Sequence, residues 1–291
     1  MNAIEVHDLS KHFGAVKAVD GISFEVAPGE IFGFLGPNGA GKTTTIRTMM
    51  DFMRPTSGAI SILGKDSVKD SVELKKRIGY LSGYVRLYDK WTGQEHIDFV
   101  RSMNARSDKA DELVSRLDFN PRMKTKQLSS GNRQKLGIIM AFMLQPELLI
   151  LDEPTTGLDP LLQNTVYQLL HESTQRGATV FVSSHNLAEV DKICDRVGII
   201  RQGKMVAIES INSLKEKRLH QAEIYFQSPY KIEDFQDPTI TVIKQMEKTL
   251  MLNVSGDLDP LIRALAKYDL QNLRITQASL DDIFLEFYQK S

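Results

Sequence analysis

The stretch 33-GFLGPNGAGKTTTIRTMMDF-52 decides the fold. Four glycines and a proline fall within Gly33–Gly41, and a lysine and three threonines follow. Ile31–Leu35 before it is a short apolar run, the pattern of a strand buried on both faces. Thr43–Met53 after it reads as a helix, stopped by Pro55. Glycines between a strand and a helix let successive backbone N–H groups turn inward on one point. A helix starting near Gly41 aims the positive end of its dipole at the same point. Many short-range donors around one spot suit a polyphosphate. Gly36–Thr43, GPNGAGKT, matches the phosphate-loop pattern of Gly, four residues, Gly, Lys and Ser or Thr. Gly36, Pro37, Asn38, Gly39, Ala40, Gly41, Lys42, Thr43 and Thr44 are therefore candidate nucleotide-binding residues. In this pattern Lys42 brings a point charge to the β- and γ-phosphates, and the Thr43 hydroxyl ligates Mg²⁺.

A second chemical feature lies about a hundred residues on. Leu148–Pro154, LLILDEP, is an apolar strand ending in two carboxylates. In open α/β sheets ligands bind beyond the carboxyl ends of the strands. Asp152 is placed to hold the metal, and Glu153 to orient and polarise an attacking water. Thr179–Ser183 is another short apolar run. Ile4, Val6 and Leu9, and then Ile22, Phe24 and Val26, alternate as in half-buried strands. Strands alternating with helices predict an α/β fold with a mostly parallel sheet.

Between about Arg86 and Lys126 the buried-strand signals vanish. Gln94–Met103 and Lys109–Leu117 read there as helices of an inserted subdomain. Beyond Lys204–Glu209 a charged connector, Ser213–Arg218, leads into a small α/β unit. Its expected strands are Ala222–Phe226, Thr239–Lys244 and Leu250–Val254, and its expected helices Leu258–Lys267 and Leu280–Tyr288.

Of the 291 residues, 42% are hydrophobic and 25% charged, the balance of a globular chain with a sizeable core. Lys plus Arg number 36 and Asp plus Glu 37, a net charge of -1 that gives no electrostatic case for nucleic acid. The single cysteine, Cys194, allows no internal disulfide and is expected as a small buried residue in a chain suited to a reducing compartment. No apolar run reaches the roughly 18 residues of a membrane span, so a membrane role is expected to come through a partner.

The ordered motifs resemble the ATP-binding subunit of an ABC transporter, over about Ile4–Glu209. GPNGAGKT (the Walker A loop) and LLILDE are joined by LSSGN, Leu128–Asn132, which resembles the family's signature motif. GLD, Gly157–Asp159, resembles the loop after the acidic pair, and SSH, Ser183–His185, resembles the strand end carrying the switch histidine. Phe13 sits where the family stacks an aromatic ring on adenine. The resemblance implies a phosphate-loop NTPase core with a mostly parallel sheet, an antiparallel β subdomain and a helical insert. It places an ATPase domain at 1–215, with the helical subdomain at about 86–145, and a small accessory α/β domain at 216–291. It implies ATP and Mg²⁺ as cofactors, a second ATPase subunit as a homodimer partner, and a separate membrane permease. The chain would then lie at the cytoplasmic face of the membrane, peripheral through the permease. Two copies would face head to tail and trap ATP between them. Ser129 and Gly131 would contact the γ-phosphate held by the other copy, His185 would sense that phosphate, and Asp159 would link the two sites. Asp159 followed by Pro160 also fits a helix N-cap.

Three residues depart from the family pattern. Ser130 and Asn132 replace the third and fifth residues of LSGGQ, and Gly83 in IGYLSG stands where the family has a glutamine reaching the metal and the water. The tail ASLDDIFLEFY is similar to that of exporter subunits with a separate permease, which favours export. Tyr84–Trp91 is the expected docking surface, with Tyr88 and Trp91 as either interface anchors or local core. The alternative functions are a soluble ABC ATPase and a nucleotide-gated regulatory module with weak hydrolysis.

Overall fold

In the computed structural model, which describes residues 1–103, 108–216 and 219–277, the apolar alternation at the N-terminus forms an antiparallel pair. Strand β1 (Ile4–Phe13) buries Ile4, Val6 and Leu9 and pairs with β2 (Val16–Val26). Strand β3 (Ile31–Leu35) is buried at every residue and feeds the glycine loop into α1 (Lys42–Met49). Helix α1 ends before the stop expected at Pro55. Asp51 takes a left-handed conformation at φ 53, and the Phe52 N–H closes back on the Arg47 carbonyl at 2.9 Å. Strands β4 (Ser57–Ile62) and β5 (Lys65–Asp66) complete a four-stranded sheet in the order β2-β1-β4-β5.

Helix α2 (Ser71–Lys75) and β6 (Ile78–Leu81) precede the helical stretch. That stretch contains α3 (Gly93–Ser102), α4 (Ala110–Arg116) and α5 (Ser130–Phe142). Thr92 starts α3 with a reciprocal cap: its hydroxyl accepts from the Glu95 N–H, while the Glu95 carboxylate accepts from the Thr92 N–H at 2.6 Å. The chain then alternates through β7 (Leu148–Asp152), α6 (Pro160–Gln175), β8 (Thr179–Ser184), α7 (Leu187–Ile193), β9 (Arg196–Arg201) and β10 (Lys204–Ser210).

These strands form a six-stranded sheet in the order β10-β9-β3-β8-β7-β6. The β9–β3, β3–β8, β8–β7 and β7–β6 pairings are all parallel. The carboxyl ends of β3, β8 and β7 therefore lie side by side, with Leu35 opposite Ser184 and Ser183 opposite Asp152. Beneath them Phe24, Phe32, Phe34 and Phe181 pack with ring centroids 5.4–5.9 Å apart. Ile46, Met49 and Met50 from the α1 segment join the same core. Burying each such side chain contributes about 1.5–3 kcal/mol, so the loop above rests on a well-packed floor.

The chain divides into two compact units, 1–208 and 209–291. The second opens with α8 (Ile211–Glu216), so the charged connector expected at Ser213–Arg218 is helical through Glu216. Strands β11 (Leu219–Phe226), β12 (Ile240–Gln245) and β13 (Thr249–Ser255), helix α9 (Asp259–Leu265) and β14 (Leu270–Gln277) follow. They make an antiparallel sheet in the order β12-β13-β11-β14. Ala222, Ile224, Phe226, Leu250, Leu252 and Val254 alternate onto one face, where Leu261, Ala264 and Leu265 of α9 join their core. The expected helix Leu280–Tyr288 lies outside the described residues.

Candidate functional site

The glycine loop needs its glycines for space. A Cβ at Gly36 would stand 2.3 Å from the Ile200 carbonyl oxygen. At Gly41, with φ +111, it would stand 2.5 Å from the Ala18 carbonyl oxygen. Around the loop lies a cavity of about 200 Å³, lined by Ala18, Pro37, Asn38, Gly39, Gly41, Lys42, Thr43, Thr44 and Glu153. Gly36 and Ala40 shape the loop from beneath: the Gly36 carbonyl accepts from Lys42 Nζ at 2.6 Å, and the Ala40 carbonyl from the Gly203 N–H at 2.9 Å.

Three strand ends converge beside the cavity. Lys42, only 6% exposed, places Nζ 3.3 Å from Glu153 Oε1. Thr43 Oγ1 donates to Asp152 Oδ2 at 2.8 Å, and Ser183 Oγ donates to Asp152 Oδ1 at 2.5 Å. Glu153 Oε2 lies 2.8 Å from His185 Nδ1. A lysine, two carboxylates, two hydroxyls and an imidazole thus form a chain of direct contacts beyond the carboxyl ends of β3, β7 and β8. The cradle, the cation and the helix N-terminus fit a nucleotide polyphosphate. The Thr43 hydroxyl beside the Asp152 carboxylate fits a hard divalent cation, which prefers oxygen donors.

The remaining sequence candidates stand outside this cluster. Ser129 is exposed and is the N-cap of α5, its hydroxyl accepting from the Asn132 N–H at 3.3 Å. Gly131 packs close to the loop after the acidic pair, where a Cβ would lie 3.0 Å from the Gly157 carbonyl oxygen. Asp159 caps α6 by accepting from the Leu161 and Leu162 N–H groups, each at 3.0 Å. Phe13 is 48% exposed with Lys11 Nζ 5.1 Å from its ring centre, and it does not line the cavity. Gly83 lies against the Asp152 carboxylate: a Cβ there would stand 3.1 Å from Asp152 Oδ2. Trp91 is half-buried in a cluster of rings with Tyr88, His96 and Phe99, and Tyr84 and Tyr88 are exposed. Cys194 is buried, and its desolvation pushes the thiol well above its ordinary value.

Two buried polar side chains beside the site belong to no motif read from the sequence. Gln134 of α5 donates to the carbonyls of Glu153 and Pro154. Glu189 of α7 accepts from Thr155 Oγ1 at 2.7 Å and from Ser184 Oγ at 2.6 Å, joining the segment after the acidic pair to the strand before His185. Burial pushes the Glu189 carboxyl above its ordinary value despite those hydroxyls. A raised folded-state value means that the fold disfavours the ionised form. The penalty is absent at pH values below the ordinary carboxyl range and grows as pH rises through the folded value. Glu189→Gln should therefore change Tm more favourably at pH 8 than at pH 5. Thermal melts at both pH values check this, and equal changes at both contradict it.

The family model described as ABC transporter matches residues 19–156. The chain is 33% identical to the bacitracin transport ATP-binding protein BcrA of Bacillus licheniformis, covering 97% of this chain and 96% of that one. It is 30% identical to the Nod factor export ATP-binding protein I of Rhizobium etli, covering 98% and 93%. Among solved structures, one titled "Structure of ATP binding subunit of ABC transporter" superposes with a TM-score of 0.68 at 30% identity, covering 73% of this chain and 92% of that one. The phosphate loop, the acidic strand end and these full-length similarities lead to one conclusion: the chain belongs to the ABC transporter family, as an ATP-binding and ATP-hydrolysing subunit.

Proposed function

We propose that this subunit powers export by a separate membrane permease through ATP-driven pairing of two copies of the chain. The carrying observation is the division of the site. Lys42, Thr43 and Glu153 line the cavity, with Asp152 bonded to Thr43 and His185 to Glu153, whereas Ser129, exposed at a helix N-terminus, neither lines it nor bonds to any of them. A hydroxyl and N–H groups at a helix start are built for an anion, so a second copy completes the site. The export direction is supported by the full-length similarity to a Nod factor export protein. The exposed Tyr84 and Tyr88 offer aromatic anchors for the permease. In this reading the chain works, held by the permease, at the cytoplasmic face of the membrane. Among the described residues no helix is long and apolar enough to cross it.

In this reading the phosphate-loop N–H groups and Lys42 hold the β- and γ-phosphates, with Phe13 against the base. Thr43 and Asp152 would hold Mg²⁺, which supplies charge neutralisation on the phosphate oxygens. Glu153 accepts the proton of the attacking water, and His185, in contact with Glu153 Oε2, holds its carboxylate in place. ATP thus favours the paired state by adding contacts that only that state makes, and hydrolysis removes them. Steady-state phosphate release with the permease present tests this. Release no faster than from Glu153→Gln would favour a nucleotide-gated module with weak hydrolysis, the reading that Gly83 suggests.

Gly83 supplies its own prediction. A glutamine there would stand beside the Thr43–Asp152 pair and add one neutral hydrogen bond near the water. A bond to the attacking water that strengthens by about 0.5–1.5 kcal/mol in the transition state raises kcat roughly two- to tenfold, the change expected of Gly83→Gln. An unchanged kcat in a phosphate-release assay would show that this loop lies away from the chemistry.

A further inference from the structure

Gln134 lies on α5, five residues after the N-cap Ser129, and is 6% exposed. Its Nε2 donates to the Pro154 carbonyl at 2.8 Å and to the Glu153 carbonyl at 3.3 Å. Both N–H bonds of the amide are thereby engaged on the backbone that carries Glu153. That backbone needs holding, because Glu153 sits at φ 52, a left-handed conformation costly for a non-glycine residue. On the other side, the Glu153 N–H donates to the Ser183 carbonyl at 3.2 Å and to Ser183 Oγ at 3.1 Å. The strained peptide is therefore clamped between β8 and α5, and its carboxylate is held by Lys42 and His185.

We propose that Gln134 is a positioning residue that ties the serine-tipped helix of each subunit to the aim of the same subunit's Glu153 carboxylate. The inference rests on the reading of Glu153 as the residue that accepts the water proton. Ser129 and Gln134 share one rigid helix. When Ser129 engages the terminal phosphate at one site, any shift of α5 acts through the Gln134 amide on the backbone of Glu153, which works at the other site. Phosphate capture at one site thus sets water activation at its twin, with no wire longer than two hydrogen bonds.

A double-mutant cycle on the full-length chain tests this with Gln134→Met, Glu153→Gln and their combination. Each protein is followed by single-turnover ATP hydrolysis, ATP titration, thermal melting and size-exclusion chromatography with ATP. Gln134→Met should lower kcat about 10- to 100-fold, the scale of a misaimed catalytic group, with KM for ATP within about twofold of wild type. Added to Glu153→Gln it should lower the residual rate no further and leave the ATP-induced dimer intact. Gln134→Glu, with the same shape but acceptors facing the two carbonyls, should show the same non-additive loss and covers the case in which the methionine variant folds poorly. The proposal is overturned by a wild-type kcat in both variants, or by losses that multiply onto Glu153→Gln as general destabilisation would. Wild-type turnover by Glu153→Gln alone would overturn the reading of Glu153 itself, and this inference with it.

Discussion

Lys42→Ala is expected to abolish ATP binding at concentrations that saturate the wild-type protein. Lys42 Nζ is held by the Gly36 carbonyl at 2.6 Å and the Pro37 carbonyl at 3.3 Å, with Glu153 Oε1 at 3.3 Å. Among the residues lining the cavity it is the one cation, facing the Glu153 carboxylate. Removing the cation leaves Glu153 without a buried counter-charge and confronts it with a polyphosphate. A hydrogen bond to a charged group is worth about 1.5–3 kcal/mol, and losing one to each of two phosphates corresponds to roughly two to four decades in affinity. Titration with a fluorescent ATP analogue reads this directly. A dissociation constant within a few-fold of wild type would show that Lys42 does not face the nucleotide. Thermal melting separates this loss from unfolding, since the variant keeps the packed floor of Phe24, Phe32, Phe34 and Phe181.

Glu153→Gln should keep ATP binding and lose hydrolysis. The amide keeps the shape and a contact to His185 Nδ1, now 2.8 Å from the carboxylate, but it accepts no proton from water. Removing a general base typically costs 10²- to 10⁴-fold, and that is the expected drop in kcat. Because the trapped ATP persists, the variant should accumulate as a dimer when ATP is present and run as a monomer without it. A monomer under both conditions, with and without the permease, removes the main support for a shared site.

The fold was legible where its cause is local. The glycines between Leu35 and Lys42 and the apolar strand before them are consecutive in the chain, and the structure forms them as strand, loop and helix. The convergence of Lys42, Thr43, Asp152 and Glu153 was readable because acids at the end of an apolar strand and a phosphate loop point to the same sheet edge. Less legible were features set by distant partners. The early end of α1 depends on Asp51 entering the left-handed region, a cap usually signalled by glycine or asparagine. Strand β14 escaped notice because LQNLRITQ is a largely exposed edge, with little apolar alternation to mark it. Gln134 and Glu189 are each polar residues on buried helix faces, among Leu136 and Ile138 or Val190 and Ile193. That mismatch is the one sequence hint they carry. Their partners lie 19–20 and 5–34 residues away and are fixed by packing.

A crystal structure of Glu153→Gln with ATP and Mg²⁺ tests the shared-site claim most directly. The predicted result is a head-to-tail pair in which Ser129 of the partner subunit lies within hydrogen-bond distance of the terminal phosphate held by Lys42. A nucleotide gripped by the glycine loop alone, with Ser129 of the partner subunit remote from it, would contradict the account.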